Sequence, residues 1–450
     1  MNTKYLTGVF LLCAAGPALA QQERPTLTLE DAIRIAHERN PSYRRAMMQV
    51  NGSEAQVMSA WGQFLPTLNA DLNWNGSRNT VFTGTDDFGG TLVQNQSRTI
   101  TSSNVSQRVS TSLTLFDGLR NVNDLRAAKS GVVSADAWVA IEELRVDAEV
   151  SNAFYAALVA ERRIEVEERL LGAARDNLDT QQRRFRIGAS DRADVLGAEI
   201  DLARAEVALE RAISDANKQR LVVLQRIGVL GEIVDFAPVG ELPDVFEPSA
   251  FSVDEIVTIA LQLHPSMAQS EANLMQAQRQ SSSAKGARWP TISANGGFAR
   301  SFSENGYAAF FDVNPQNRGF NFGLGVSIPI LNNFSTSQAI AQAKVNEANA
   351  EETLWENRVS VEQSVRSALI DLQTAHQEYV TQTRATDLAR RRLEISQEQF
   401  RAGALTFINL QTIINSLSQE ERSLVNAHLT FLQAVVNLEQ RVGQPIPRPE

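Results

Sequence analysis

The sequence predicts a mixed α and β membrane protein in which each chain supplies four amphipathic strands to a shared β-barrel and continues it with long coiled-coil helices. Three observations predict this. The chain of 450 residues repeats once internally. Each copy sets two strands of alternating polarity ahead of a very long helix. No stretch after the first twenty residues offers the roughly 18 consecutive apolar residues that a transmembrane helix needs, so a membrane could be entered only as a barrel.

The remaining composition narrows the class. Hydrophobic residues make up 43% and charged residues 21%, enough for a large core. The net charge is −10 with no Lys/Arg block, which argues against nucleic acid as a partner. Residues 1–20 read as a secretory signal peptide, with Lys4, an apolar run from Val9 to Ala15, and Ala18-Leu19-Ala20 before Gln21. The single cysteine, Cys13, lies inside that run, and Phe10-Leu11-Leu12 lacks the small residues of a lipoprotein site. The exported chain would carry no thiol, and so no disulfide, thiolate-metal or cysteine-nucleophile chemistry.

The repeat fixes the organisation. Leu27 to Ala36 matches Phe251 to Ala260 at an offset of 224, which also aligns Asn40-Pro41-Ser42 with His264-Pro265-Ser266 and Pro66-Thr67-Leu68 with Pro290-Thr291-Ile292. Further on the offset becomes 215 and pairs Phe185-Arg186 with Phe400-Arg401, Gly188 with Gly403, and Gly228 with Gly443. The expected segments are the leader, a first repeat over 21–228, a connecting segment over 229–250, a second repeat over 251–443 and a tail over 444–450. The first repeat holds a β-hairpin at 67–116 and a helical turn near 188. The second holds a β-hairpin at 291–330 and a turn near 403.

Each half opens with a short helix. Thr28 with Asp31, and Ser252 with Glu255, have capping-box spacing. Pro41 and Pro265 restart the chain into second helices ending near Gly62 and Gly286. After Pro66 the period becomes two: Leu68, Ala70, Leu72 and Trp74 alternate with polar residues. Val105, Val109, Leu113 and Leu115 do the same, as do Ile292, Ala294, Phe298 and Phe302, although Gly296 and Arg300 weaken that strand. The fourth run comprises Phe320, Phe322, Leu324, Val326, Ile328 and Ile330. Each has the length of a tilted membrane strand. Residues 76–103 and 303–318 read as polar loops. A soluble hairpin pair is the bland alternative. In a barrel the lipid-facing positions would include Leu68, Leu72, Trp74, Leu113, Leu115, Phe320, Phe322, Leu324 and Val326. Outer-membrane barrels need about eight strands, so four per chain require oligomerisation.

Between Ser335 and Gln399 there is neither Gly nor Pro. A helix of that extent would reach about 100 Å at 1.5 Å per residue. Its stripe Val361, Val365, Ala368, Leu372, Ala375, Tyr379 has coiled-coil spacing, repeated in the first half as Val146, Val150, Ala153, Ala157, Ala160, Ile164. Gly188 and Gly403 then turn the chain into further helices starting near Asp194 and Asn409. A soluble coiled-coil rod would show the same helical pattern.

Enzyme signals are close to absent. His37, His264, His376 and His428 show no metal-ligand spacing with one another, and no phosphate loop occurs. Ser282-Ser-Ala-Lys285 fits an S-x-x-K pattern but lacks its companion motifs. No catalytic, cofactor or metal site is expected. Near the turns, Asp191, Arg192, Asp194, Asn409 and Thr412 could form rings in an oligomer and gate by charge. Helix capping explains Asp191 or Asp194 equally well.

The Ala36 to Pro41 element, the two F-R-x-G turns followed by Asp194-Val-Leu and Asn409-Leu, and the twofold helix, hairpin, long-helix order resemble the TolC family of outer-membrane efflux proteins over roughly 27–443. The resemblance implies a homotrimer with a 12-stranded barrel in outer-membrane lipid and a helical tunnel across the periplasm. It implies an exit duct of a tripartite efflux or type I secretion system, partnered by an inner-membrane transporter and a periplasmic adaptor. By position, the adaptor-docking tips would be Phe185, Arg186, Gly188, Ala189 and Phe400, Arg401, Gly403, Ala404. The family places aspartates after the second turn, where this chain has Asn409 and Thr412. A periplasmic adaptor or a structural coiled coil without a pore is the alternative. Drug efflux and protein secretion are not separated at this level.

Overall fold

A computed structural model describes residues 25–83, 96–229, 236–248, 252–305 and 317–446. The expected leader, much of both strand-to-strand loops, part of the connecting segment and the end of the tail lie outside the described residues.

The first half begins with β1 (Thr26–Leu27) and α1 (Leu29–Arg39). The Thr28 hydroxyl oxygen accepts from the Asp31 N–H, and the hydroxyl donates back to the Asp31 carboxylate, so α1 starts as its cap spacing predicts. α2 (Pro41–Gly62) follows, with Pro41 in the first turn and Asn40 Oδ1 accepting from the Ser42 and Tyr43 N–H groups. β2 (Thr67–Thr83) and β3 (Gln96–Phe116) form the first hairpin. α3 (Arg120–Arg186) and α4 (Arg192–Ile227) form the helical hairpin. β4 (Ala237–Pro238) pairs in parallel with β1.

The second half repeats these lengths residue for residue in its helices. α5 (Val253–Leu263) and α6 (Pro265–Gly286) match α1 and α2 at 11 and 22 residues. α7 (Ser335–Arg401) and α8 (Phe407–Val442) match α3 and α4 at 67 and 36. Between them lie β5 (Thr291–Asn305) and β6 (Asn317–Ser327).

Four expectations need correction. Ser252 makes no side-chain cap, so the start of α5 relies on the first-turn acids Asp254 and Glu255 against the helix dipole. α4 and α8 begin two residues earlier than expected, at Arg192 and Phe407. β6 ends at Ser327, excluding Ile328 and Ile330, because Pro329 has no N–H to continue a ladder. The segment 76–103 is not all loop: β2 runs on to Thr83 and β3 starts at Gln96. Ladder pairing there proceeds through Thr80↔Thr99 and Val81↔Arg98, since backbone bonds need no apolar face.

The helices make four columns. α3 packs against α2 and α6 over one part of its length and against α4 and α8 over another, while α7 packs against α6 and α8. The C-terminus of α4 meets the N-terminus of α2: Asn40 Nδ2 donates to the Arg226 carbonyl at 2.8 Å. Gly228, at φ 78°, closes that joint, where a Cβ would come 2.7 Å from the Arg39 carbonyl oxygen. Gly443, at φ 87°, does the same for α8 against His264. Helix dipoles therefore run head to tail through both joints.

The main core gathers where α1 and α5 cross the long helices. Val146, Val150, Phe154, Val365, Leu369, Leu372, Phe431 and Leu438 are at most 2% exposed. The two coiled-coil stripes lie there, buried except for the half-buried Ile164 and Tyr379. The alanines let α3 and α7 approach their neighbours closely.

Candidate conduit: a two-faced sheet and paired helical tips

The sheet has strand order β2-β3-β5-β6, all antiparallel. Residues directly opposite in an antiparallel ladder share a face. The register thus puts Leu68, Ala70, Leu72 and Trp74 with Val105, Val109, Leu113, Ile292, Ala294, Phe298, Phe302, Phe320, Phe322, Leu324 and Val326 on one side. The other side carries Asn69, Asp71, Asn73, Ser106, Arg108, Ser110, Asn295, Ser301 and Asn321. Phe322 is 85% exposed and Phe320 75%, so the apolar side is uncovered in the single chain.

Two details refine the sequence reading of this face. A register shift between Thr114 and Phe116 leaves Leu115 unpaired and sets Phe116 opposite Ile292, adding an aromatic that strict alternation assigns to the polar side. Arg300, opposite Gln107 and Arg318, stands on the apolar face, where its Nε donates to the Gln107 side-chain oxygen. It lies between the Trp74–Val105–Phe302 row and the Ala70–Val109–Phe298–Phe320 row, so one polar row of Gln107, Arg300 and Arg318 crosses the apolar area near its Phe302 end. β2 and β6 are each paired on one side only, so both long edges are free.

At the opposite end of the helices, the hairpin turns share one design. Gly188 and Gly403 adopt φ 72° and 76°. Ala189 N–H reaches back to the Arg184 carbonyl and Ala404 N–H to that of Gln399, which closes each helix end. Phe185, Arg186, Ala189, Arg401 and Ala404 are exposed or partly exposed there. Phe400 is buried instead, packing with Ala198, Phe407 and Leu410. The Arg184 guanidinium sits 4.4 Å above the Phe400 ring and joins the two tips.

The expected gating residues fall into two separate groups. Asp191 is the N-cap of α4, its Oδ1 accepting from the Asp194 N–H at 2.8 Å. The Ser190 hydroxyl donates to the Asp194 carboxylate at 2.9 Å and lies 3.3 Å from Gln181 Oε1. Arg192 is exposed in the first turn. On α8, Asn409 is exposed and Thr412 donates its hydroxyl to the Ile408 carbonyl. Among the described residues no hydrogen bond or ion pair joins the α4 group to the α8 group.

Polar contacts that the sequence reading missed connect the two hairpins. Arg422 of α8 binds Glu167 of α3 through two bonds of 2.6 and 2.7 Å, and Glu167 is 2% exposed. Asn177 donates to Gln411 about three helical turns nearer the tips. Beside them a groove of about 370 Å³ is lined by Asp201, Arg204, Asn415 and Arg422 among others. Burial pushes the Asp201 carboxyl above the usual range, against the opposing pull of Arg204. These pairs are more than two hundred residues apart in sequence, so spacing carries no signal of them.

A sheet with one apolar face and free edges, set on helical columns, defines a channel of the outer-membrane barrel and helical-tunnel class. Protein CyaE of Bordetella pertussis is 27% identical over 78% of this chain and 70% of its own length. The alkaline protease secretion protein AprF of Pseudomonas aeruginosa is 26% identical over 75% of this chain and 67% of its own. The Campylobacter jejuni CmeC outer membrane channel superposes with a TM-score of 0.73 at 16% identity, covering 97% of this chain and 94% of that one. The chain belongs to the outer membrane efflux protein family, which it matches over residues 32–228 and 256–444. It is therefore an outer-membrane exit duct that reaches into the periplasm, as its TolC-like pattern implies.

Proposed function

We propose that three copies of this chain join their free β2 and β6 edges into one 12-stranded barrel, and that the resulting duct conducts substrate passively from an inner-membrane transporter joined to it by a periplasmic adaptor. The observation carrying this reading is the apolar face. From Ile292 to Phe302 it rises about 34 Å along the strand, or about 26 Å at the tilt of about 40° usual for such barrels, which matches their apolar band of about 25 Å. Leu68, Leu72, Trp74, Leu113, Leu115, Phe320, Phe322, Leu324 and Val326 would then meet lipid, and the Asn/Ser side would line water.

The turns at 185–190 and 400–405 offer the adaptor a surface of exposed Phe185, Arg186, Arg401 and Ala404 around rigid glycine turns. Asp191, Arg192, Asp194, Asn409 and Thr412 would ring the periplasmic mouth. Asp194 brings the charge and the Ser190 bond holds its carboxylate in place. Replacing Asp194 by Ala should raise single-channel conductance or weaken cation preference in planar bilayers. Conductance and selectivity unchanged from the parent channel would remove Asp194 from the gate. The AprF likeness favours export of a protein substrate, and purified vesicles scored for secreted polypeptide against small dyes would test that choice.

A further inference from the structure

We propose that His37, Glu143 and Asp147 form a binding site for a divalent first-row metal ion of the zinc type, where the last turn of α1 meets α3. One donor atom from each of the three side chains lies within 4.8 Å of the other two. Glu143 and Asp147 are four residues apart on one face of α3, and His37 Nε2 stands 2.6 Å from Asp147 Oδ1. The Tyr43 ring stacks on the imidazole at 5.1 Å and 25°, fixing its plane.

The charge pattern of α3 singles this cluster out. The other inward carboxylates on this helix each meet an arginine: Glu142 and Glu149 meet Arg145, Glu161 meets Arg220, and Glu167 meets Arg422. Among the described residues, Glu143 and Asp147 have no Lys or Arg at ion-pair distance, so two neighbouring half-buried carboxylates, one of them bonded to the His37 imidazole, have no fixed cation. A bound dication supplies that charge. Imidazole nitrogen with two carboxylate oxygens suits zinc, and the half-exposed His37 and Asp147 side chains leave its remaining position to water. Binding replaces the Nε2–Oδ1 hydrogen bond: the neutral imidazole carries its one proton on Nδ1, and Nε2 offers its lone pair to the ion. With both ligands about 2.1 Å from the ion, their separation widens by less than about 1 Å.

The test is independent of the duct reading. The full-length oligomer in detergent, stripped with chelator, is titrated with Zn²⁺ by calorimetry and with Co²⁺ by visible absorption. One saturable ion per chain is expected, unaffected by excess Mg²⁺. Glu143→Gln, which leaves the His37–Asp147 bond intact, should weaken it at least about tenfold without changing the melting temperature of the metal-free protein. His37→Asn should abolish the Co²⁺ nitrogen-ligand bands. No saturable Zn²⁺ binding in the parent protein, or equal affinity in Glu143→Gln, would overturn the proposal and leave a hydrogen-bonded pair.

Discussion

Asn40 and His264 occupy equivalent places in the two halves and do the same work with different chemistry. Asn40 caps α2 with its amide oxygen; His264 caps α6 with Nδ1, which accepts from the Ser266 N–H, and the ring also bonds to the Gln440 backbone. A ring nitrogen accepts only when unprotonated. Burial holds the His264 pKa below its usual value of 6.5, the Gln440 bond opposes this, and Arg441 adds to the lowering. The unfolded chain thus binds the proton more readily. Stability is complete above the ordinary histidine value and is lost as pH falls through the lower folded value. Thermal melts from pH 7.5 down to 5 should show this loss, and His264→Asn should shrink it while matching the parent at pH 7.5. The sequence alignment of Asn40 with His264 makes this equivalence legible. The His37–Asp147 pair was not, because its partners are 110 residues apart.

At the scale of elements, the two predicted caps separate cleanly. Thr28→Ala removes a formed cap and should cost about 1 kcal/mol in denaturant titrations, whereas Ser252→Ala should cost nearly nothing. Breaking the buried Arg422–Glu167 link by Glu167→Gln leaves an unmatched guanidinium between the hairpins. It should cost about 3 kcal/mol and speed amide exchange in α8 near residue 422. The long helices were readable because Gly and Pro are absent from α7 and the alanine stripes recur. The strand ends were not. Gly76, with its Asn and Ser neighbours, reads as a turn, yet it lies within β2 beneath the Trp74 ring, where a Cβ would come 2.7 Å from the indole. Similarly, the shift at Leu115 has no mark in an alternating pattern.

For the whole molecule, the assignment of faces is the decisive quantity. Phe322 and Asn321 are neighbours in β6 on opposite sides of the sheet. Phe322→Lys would set a charge near the middle of the apolar band, costing about 2–4 kcal/mol per copy. Heat-resistant oligomer in outer-membrane extracts should fall sharply for Phe322→Lys and persist for Asn321→Lys. Equal losses in both would mean that the sheet is not embedded as proposed. The end-on joints at Gly228 and Gly443 have a mechanical consequence. Of the four columns in the chain, α3 and α7 run unbroken, while α4 over α2 and α8 over α6 are segmented at equivalent places in the two halves. Past that level torque travels along covalent backbone in α3 and α7, but between α4 and α2, and between α8 and α6, it must cross packed side chains and bonds such as that of Asn40 to the Arg226 carbonyl.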